Sequence, residues 1–236
     1  MDMPYSLQNR MEIALLDLNE PDYRVFQDDA HRFLPVHKWR GVKMNRAGEI
    51  IEINWDNLFQ EKAKFNFSLL PPTVEVFSAN NCSLTGSLSF TYFPRELRSL
   101  SLRGNHLSGK LNLSDLPKQL ECLDVVSNEF SGKLSLKNLP KSLRFLYLNG
   151  NAFEGKLNLK YLPRSLVNLN LTRNKFSKNI KIGNLPEHLL PIALFENAID
   201  VDDVLKNCVG EEAEITRNRD GAHVLKDHSG RVMALW

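Results

Sequence analysis

GKLSLKNLPKSLRFLYLNGNAFE occupies positions 132–154 and shares its length and pattern with the segments on either side of it. GKLNLSDLPKQLECLDVVSNEFS begins at Gly109 and GKLNLKYLPRSLVNLNLTRNKFS begins at Gly155, with no gap between the three segments. Two columns of single residues recur every 23 positions: Pro71, Pro94, Pro117, Pro140, Pro163 and Pro186, and Cys82, Asn105, Asn128, Asn151, Asn174 and Asn197. A fixed period of this length indicates a solenoid of stacked coils.

Each repeat predicts one coil with two short strands and two corners. In LRFLYLNGN (143–151), strand alternation directs Leu143, Leu146 and Leu148 inward. The residues between them face outward: Phe145, Tyr147 and Asn149. After the strand, the Asn column supplies amides that bond the backbone of the turn, so we expect stacked copies to form a ladder with Cys82 in its first position.

The G-K-L-x-L motif predicts the second strand of each coil. In the copy that starts at Gly109, alternation directs Leu111 and Leu113 inward and Lys110 and Asn112 outward. Leu-Pro then turns the chain, because proline interrupts any ladder or helix. Burial of about seven apolar side chains returns less free energy than the ordering of one coil costs. We therefore expect a coil to be stable only against its neighbours.

These motifs resemble those of leucine-rich-repeat proteins over about residues 48–200. The signature L-x-x-L-x-L-x-x-N/C reads LRSLSLRGN, LECLDVVSN, LRFLYLNGN and LVNLNLTRN here. The longer pattern LP-x-x-L-x-x-L-x-L-x-x-N-x-F-x-G-x-L is similar to that of plant-type and protist repeats. The resemblance implies a mainly-β or α/β repeat fold: a curved solenoid with a parallel sheet on the concave face and short second strands on the convex side.

Both ends of the solenoid are predicted to carry caps, with boundaries at 1–47 for a helical N-terminal cap, 48–200 for the solenoid and 201–236 for a small C-terminal cap. Positions 5–19 are helix-like, and KWRGVKMNRAGEIIEINW (38–55) resembles the plant-type cap W-x-G-V-x-C, except that Lys43 stands in GVKM and the cap cysteine is absent. We expect Pro191 on an edge strand and Asp200 or Asp202 at a helix N-terminus. The segment 222–236 predicts a hairpin over the last coil.

Composition predicts a cored protein in a reducing, intracellular compartment. The 236 residues are 42% hydrophobic with a net charge of +2, and three cysteines without close pairs argue against a disulfide framework. The start of the chain is a poor signal peptide, and no apolar run approaches the length of a membrane helix. We therefore expect a cytoplasmic protein, with an organelle as the alternative, and no membrane partner.

The chain offers no motif for catalysis. Its six histidines lack metal-ligand spacing, and no phosphate-binding loop, nucleophile elbow or dinucleotide motif is present. Cys122 is expected on the concave face, where neighbouring Asp124 disfavours its thiolate. We therefore predict a protein that is not an enzyme, with no cofactor, no metal and no small-molecule substrate.

The concave strands predict a surface for a protein partner. Outward aromatic residues with a polar border are typical of interfaces, although cross-strand aromatic residues also stabilise sheets. The predicted apolar anchors are Phe145, Tyr147 and Val126, and the predicted polar selectors are Arg103, Asp124 and Asn149. We expect an adaptor or scaffold, as a subunit of a larger assembly.

Basic residues form two further columns in the middle of the chain, where 91–186 carry 16 Lys and Arg against 6 Asp and Glu. The first contains Lys110, Lys133 and Lys156, and the second contains Arg95, Lys118, Lys141 and Arg164. Stacking predicts a spacing of about 4.8 Å within each column. Such columns serve solubility, or they bind an acidic partner. RNA is the alternative partner, in a ribosome-like ribonucleoprotein particle.

Overall fold

The computed structural model describes residues 6–177, 180–183, 185–199, 214–217, 220–226 and 231–235. Two helices, α1 (Leu7–Ala14) and α2 (Glu20–Tyr23), precede the strands. The described strands are β1 (Val42–Met44), β2 (Ile50–Asn54), β3 (Val76–Ser78), β4 (Thr85–Ser87), β5 (Ser99–Ser101), β6 (His106–Gly109), β7 (Cys122–Asp124), β8 (Glu129–Lys133), β9 (Phe145–Tyr147), β10 (Ala152–Gly155), β11 (Asn168–Asn170), β12 (Lys175–Phe176), β13 (Ile192–Ala193), β14 (Glu214–Arg217), β15 (His223–Lys226) and β16 (Val232–Leu235). They form two sheets that run along a solenoid.

The concave sheet joins one strand from each coil. Its order among the described strands is β1-β2-β3-β5-β7-β9-β11-β13-β16-β15-β14, and β2 to β13 are parallel neighbours. From β3 to β11 the register equals the repeat, so that Leu100 lies opposite Leu123, which lies opposite Leu146. These leucines are fully buried. The predicted inward column of the first strand is therefore confirmed.

The convex sheet contains β4, β6, β8, β10 and β12, all parallel. These strands precede the G-K-L-x-L motif or end within it, so the prediction that this motif forms the second strand is wrong. The motif instead leads into a short 3-10 helix in the copy that starts at Gly109, at Leu113–Asp115. The predicted alternation is nevertheless present, because Leu111 and Leu113 are buried while Lys110 and Asn112 are exposed.

The Asn ladder forms as predicted, and it joins each coil to the coil before it. The Nδ2 of Asn128 donates to the Leu102 carbonyl at 2.8 Å and to the Val125 carbonyl at 3.2 Å. Its Oδ1 accepts from the Leu107 amide at 3.0 Å. The same bonds recur at Asn105, Asn151, Asn174 and Asn197.

Cys82 occupies the first position of the ladder. Its thiol donates to the Trp55 carbonyl at 3.0 Å, and its amide donates to the Oδ1 of Asn105 at 3.0 Å. A thiol is a weak donor without the acceptor oxygen of an amide. The side chain therefore satisfies only the carbonyl half of the Asn pattern, at the end of the ladder where the neighbouring coil belongs to the cap.

The N-terminal cap is helical and aromatic. In α1, Met11 and Ala14 are buried, as the helical pattern predicted. Phe26 packs against Trp39 with ring centroids 4.7 Å apart and against Trp55 at 5.4 Å. These rings cover the first coil, where an open solenoid would leave its core in water.

The C-terminal cap continues the concave sheet. The predicted hairpin is present as β15 and β16, and β16 pairs in parallel with β13. Pro191 therefore precedes an internal strand, and the prediction of an edge strand is wrong. Proline is tolerated here because it lies before β13 rather than within it. Asp200 and Asp202 lie outside the described residues. The boundaries 1–47, 48–200 and 201–236 remain a proposal, since both caps join one continuous sheet.

We expect Asn128→Ala to lower the free energy of unfolding by about 2–4 kcal/mol. The substitution leaves the backbone amide of Leu107 and the carbonyls of Leu102 and Val125 without the partners that Asn128 provides. Urea denaturation followed by circular dichroism measures the loss. Asn149→Ala is the matched control. Asn149 lies in the coil that follows the coil of Asn128, and its side chain points outward and is half-buried. We expect the control to change stability by about 0.5 kcal/mol or less. Equal stability of the two variants would contradict the structural role of the ladder.

Candidate protein-interaction surface

The three-residue concave strands β3, β5, β7, β9 and β11 each direct two residues outward, at their first and third positions. Pairing of β7 with β9 sets Cys122 beside Phe145 and Asp124 beside Tyr147. Pairing of β5 with β7 sets Ser101 beside Asp124. The structure thus brings the predicted aromatic and acidic residues together on adjacent strands. The assignment of these residues to a partner remains a prediction.

Phe145 and Tyr147 form an aromatic pair on β9. Their ring centroids are 6.3 Å apart with an interplanar angle of 21°, and both side chains are half-buried. The Arg144 guanidinium lies 5.3 Å from the Phe145 centroid, a distance suited to a cation–π contact. Burial raises the pKa of Tyr147, and the charges of Cys122 and Asp124 act in the same direction. The phenol therefore remains a neutral hydrogen-bonding group at physiological pH.

Arg103 and Asp124 form an ion pair beside the aromatic pair. The Arg103 Nη2 donates to Asp124 Oδ2 at 2.8 Å, and Nε donates to the same oxygen at 3.2 Å. The other oxygen of Asp124 accepts from the Val126 amide at 3.0 Å. Asp124 is 8% exposed whereas Arg103 is exposed. The carboxylate therefore holds the guanidinium in place, and Arg103 presents the accessible charge.

The other two predicted residues differ in accessibility. Val126 is 5% exposed, so its side chain offers a partner little surface. Its position follows the end of β7, where the strict alternation of the strand no longer determines which side chains reach the surface. Asn149 is half-buried and remains available for contact.

A chain of polar contacts leads to Arg103 from the N-terminal coils. Asp56 accepts from the Ser78 hydroxyl and, at 2.8 Å, from the Asn80 amide. The Oδ1 of Asn80 accepts from the Ser101 hydroxyl at 2.7 Å and from the Arg103 amide at 2.8 Å. Sequence reasoning missed this network. Its only signal was the polar character of the outward positions, which does not reveal which side chains bond to each other.

The basic columns lie away from the concave face and are exposed at all seven predicted positions. Among the described residues, no ion pair within 4.0 Å involves Lys110, Lys133, Lys156, Arg95, Lys118, Lys141 or Arg164. The aliphatic part of each lysine side chain packs over a glycine of the next coil: Lys110 lies beside Gly132, and Lys133 lies beside Gly155. A Cβ at either glycine would lie 3.3 Å from the lysine Cγ.

The spacing of the lysine column differs from the sequence prediction. Gly86 lies opposite Leu107 and Gly132 lies opposite Phe153, so the convex register is 21 residues against a repeat of 23. Each coil is thus displaced by two residues along the strand relative to its neighbour. With about 4.8 Å between strands and about 3.3 Å per residue, equivalent lysines are about 8 Å apart in an oblique row. The predicted spacing of about 4.8 Å is wrong on this face.

Within the described residues, no cluster of three or more His, Cys, Asp and Glu side chains has the arrangement of a metal site. The helices described there are also too short or too polar to cross a membrane.

Comparison with known proteins identifies the fold. No family model and no curated protein matches the chain. Among solved structures, a pollen receptor kinase 3 is 20% identical with a TM-score of 0.64, covering 82% of this chain and 95% of the other. A plant ice-binding protein is 16% identical with a TM-score of 0.53, covering 82% and 71%. The LRR ectodomain of the receptor kinase SOBIR1 from Arabidopsis thaliana is 22% identical with a TM-score of 0.49, covering 84% and 97%.

The protein is a leucine-rich-repeat solenoid. The 23-residue register of the concave sheet and the Asn ladder agree with the resemblance found in the sequence. The comparison contradicts the predicted intracellular location, because a receptor kinase, pollen receptor kinase 3, is among the solved structures that share this fold. The prediction had relied on the small number of cysteines and on the poor match of the chain start to a signal peptide. The cap is packed through aromatic rings, so its packing does not depend on the cap cysteine that GVKM (41–44) lacks.

We expect iodoacetamide to alkylate Cys122 more slowly in the folded protein than in the unfolded chain. Burial raises the pKa of the Cys122 thiol, and the Asp124 carboxylate raises it further. A higher pKa leaves a smaller thiolate fraction at mildly alkaline pH, and the thiolate is the reactive form. Asp124→Asn removes one of these two causes and should accelerate alkylation in the folded state.

Mass spectrometry of the Cys122 peptide measures the rate. Buried Cys82, whose thiol pKa is also raised by burial, is the slow internal reference. Alkylation of Cys122 at the rate of the denatured chain would contradict this description of the concave surface.

Proposed function

We propose that the protein is a non-catalytic scaffold or adaptor whose concave sheet binds a protein partner, as a subunit of a larger assembly. The observation that carries this proposal is the Phe145–Tyr147 pair, which is half-buried at the surface beside the ion pair of Arg103 and Asp124. Aromatic side chains and arginine dominate the energetics of protein interfaces when they lie together and can be fully desolvated.

Rigidity supports this function. The outward side chains stand on short strands that are bonded on both sides, and the Asn ladder fixes the turns that follow. The polar network also holds the Arg103 backbone, while Asp124 holds its guanidinium. A surface that is ordered before binding loses little conformational entropy when the partner arrives. The proposed anchors are Phe145 and Tyr147, with Arg103 and Asn149 as selectors. Asp124 acts through Arg103, and Val126, at 5% exposure, contributes little side-chain surface.

We expect Phe145→Ala and Tyr147→Ala each to weaken partner binding by at least about tenfold, because each removes aromatic contact area at the centre of the surface. The native complex is isolated and its members identified, and the purified partner is then titrated calorimetrically against each variant. Tyr161→Ala is the matched control, because Tyr161 is 56% exposed and lies outside the concave strands. Unchanged affinity in both variants, with unchanged melting temperature, would refute the assignment.

A second candidate function is RNA binding through the basic columns, favoured by their exposure and by the absence of ion pairs to them within the described residues. A regular row of free lysines is suited to a phosphate backbone, because release of counterions then favours binding. This function would fit a constituent of a ribonucleoprotein particle. The proposal concerns the convex side and the corners, so it does not compete for the concave residues.

If RNA binds the lysine row, the affinity of the protein for RNA should fall steeply as the salt concentration rises. Replacement of Lys110, Lys133 and Lys156 by Gln should reduce the slope of log affinity against log salt by about 2, since each contact to single-stranded RNA contributes about 0.7. Fluorescence anisotropy with a labelled single-stranded RNA measures the slope across potassium chloride concentrations. Lys38→Gln, an exposed change in the N-terminal cap, should leave it unchanged. A shallow slope for the wild type would exclude this candidate.

A further inference from the structure

A groove runs along the Leu-Pro corners of successive coils, beginning at helix α1. It consists of two hollows of about 340 Å³ and 480 Å³ that share Phe93, Arg95 and Glu96. Arg10 and Tyr92 line the first hollow, and Leu116 and Lys118 line the second. We call this feature the corner groove. Its combined size falls in the range of pockets that hold small ligands or short peptide segments.

The floor of the corner groove is apolar and built from an unusual coil. Phe93 stands where the neighbouring repeats have Leu70 and Leu116, and the same coil contributes Phe90. The rings of Phe90 and Phe93 are 5.6 Å apart, and Phe67 stacks on Phe93 at 5.3 Å. The rings of Phe67, Phe90 and Phe93 hold one another in place by packing, so the floor of the groove is formed before any ligand binds.

One wall of the groove is aromatic and accessible. Tyr92 is 69% exposed, the largest exposure among the large apolar and aromatic residues that are described. It belongs to the same coil as Phe90 and Phe93, at the position that Asp115 and Asn138 occupy in the next two repeats. A tyrosine that leaves most of its ring in water beside an apolar floor can close over a bound side chain.

The rim of the groove carries positive charge that the described chain does not neutralise. No ion pair within 4.0 Å involves Arg10, Arg95 or Lys118 among the described residues. Of the two carboxylates on the rim, Asp115 accepts a hydrogen bond from Asn112 at 2.8 Å. An anionic group would therefore meet complementary charge in the groove.

Arg10 carries an unsatisfied donor at this place. Its Nη2 donates to the Leu70 carbonyl at 3.1 Å, which directs the guanidinium toward the corner of the coil. Its Nε is buried and has no hydrogen-bond partner, and no other buried side-chain nitrogen or oxygen of the described residues shares that state. A buried donor without a partner is uncommon and costly.

We propose that the corner groove binds a short extended peptide segment of a partner protein, with a carboxylate between Arg10 and Arg95 and a large apolar side chain on the floor formed by Phe90, Phe93 and Leu116. Arginine binds carboxylates through charge-assisted hydrogen bonds, and the apolar floor supplies burial for the adjacent side chain. The carboxylates of Glu96 and Asp115 on the rim disfavour a uniformly anionic polymer. This site is separate from the concave surface, so a second segment or a second partner binds here.

The test is a selection of random heptapeptides displayed on phage against the immobilised full chain. We expect the recovered peptides to share one Asp or Glu within two positions of a large apolar residue. Synthetic copies should bind Arg95→Gln at least about tenfold more weakly than the wild type, through the loss of one charge-assisted contact. Replacement of the acidic residue of the peptide by its amide should cause a similar loss, and Tyr92→Ala should also weaken binding.

Arg164→Gln is the matched control, because Arg164 occupies the same repeat position as Arg95 but lies outside the groove. It should bind the peptides as the wild type does. Phe145→Ala should also leave their binding unchanged, which separates this site from the concave surface. Recovery of no peptides, recovery of peptides without an acidic residue, equal binding to Arg95→Gln, or equal losses in Arg95→Gln and Arg164→Gln would each overturn the proposal.

Discussion

The structure depends on the hydrogen bonds that each ladder amide makes to two coils at once. Where a concave strand ends, its carbonyls lose their sheet partners, and a buried unpaired carbonyl is costly. The Asn128 side chain provides such partners: it donates to the Val125 carbonyl in its own coil and to the Leu102 carbonyl in the coil before. It also accepts a hydrogen bond from the Leu107 amide. Because each ladder side chain bonds to the backbone of the preceding coil, the amides couple the stability of neighbouring coils.

The same coupling explains why the concave face can serve as a binding surface. Its strands are only two to five residues long, and such strands hold side chains in place only when they are paired and their turns are fixed. The coils supply both conditions. Phe145 and Tyr147 consequently stand on a rigid strand. The Arg103 amide is bonded to Asn80, and the Arg103 guanidinium is bonded to Asp124. The repeated residues thus fix the backbone, and the residues that differ between repeats determine the chemical character of the surface.

Departures from the repeat are also what define the corner groove. Most coils have leucine before the proline of the corner, but one coil carries Phe90, Tyr92 and Phe93 together. Beside this coil lie Arg95 from the corner itself and Arg10 from the cap. A cap residue and repeat residues thus line one site. The concave face, the lysine row and the corner groove are three separate surfaces on a scaffold of 236 residues.

The sequence by itself determined the period, the inward leucines, the ladder and the two caps, because these follow from alternation and from polar groups that recur at fixed spacing. It also predicted that Asp124 would disfavour the Cys122 thiolate, since both lie on one strand. Tertiary structure alone decided the convex register of 21, the burial of Val126, the network from Asp56 to Arg103 and the groove beside Arg10. These depend on how neighbouring coils shift and pack, and a repeat pattern does not encode the offset between its own copies.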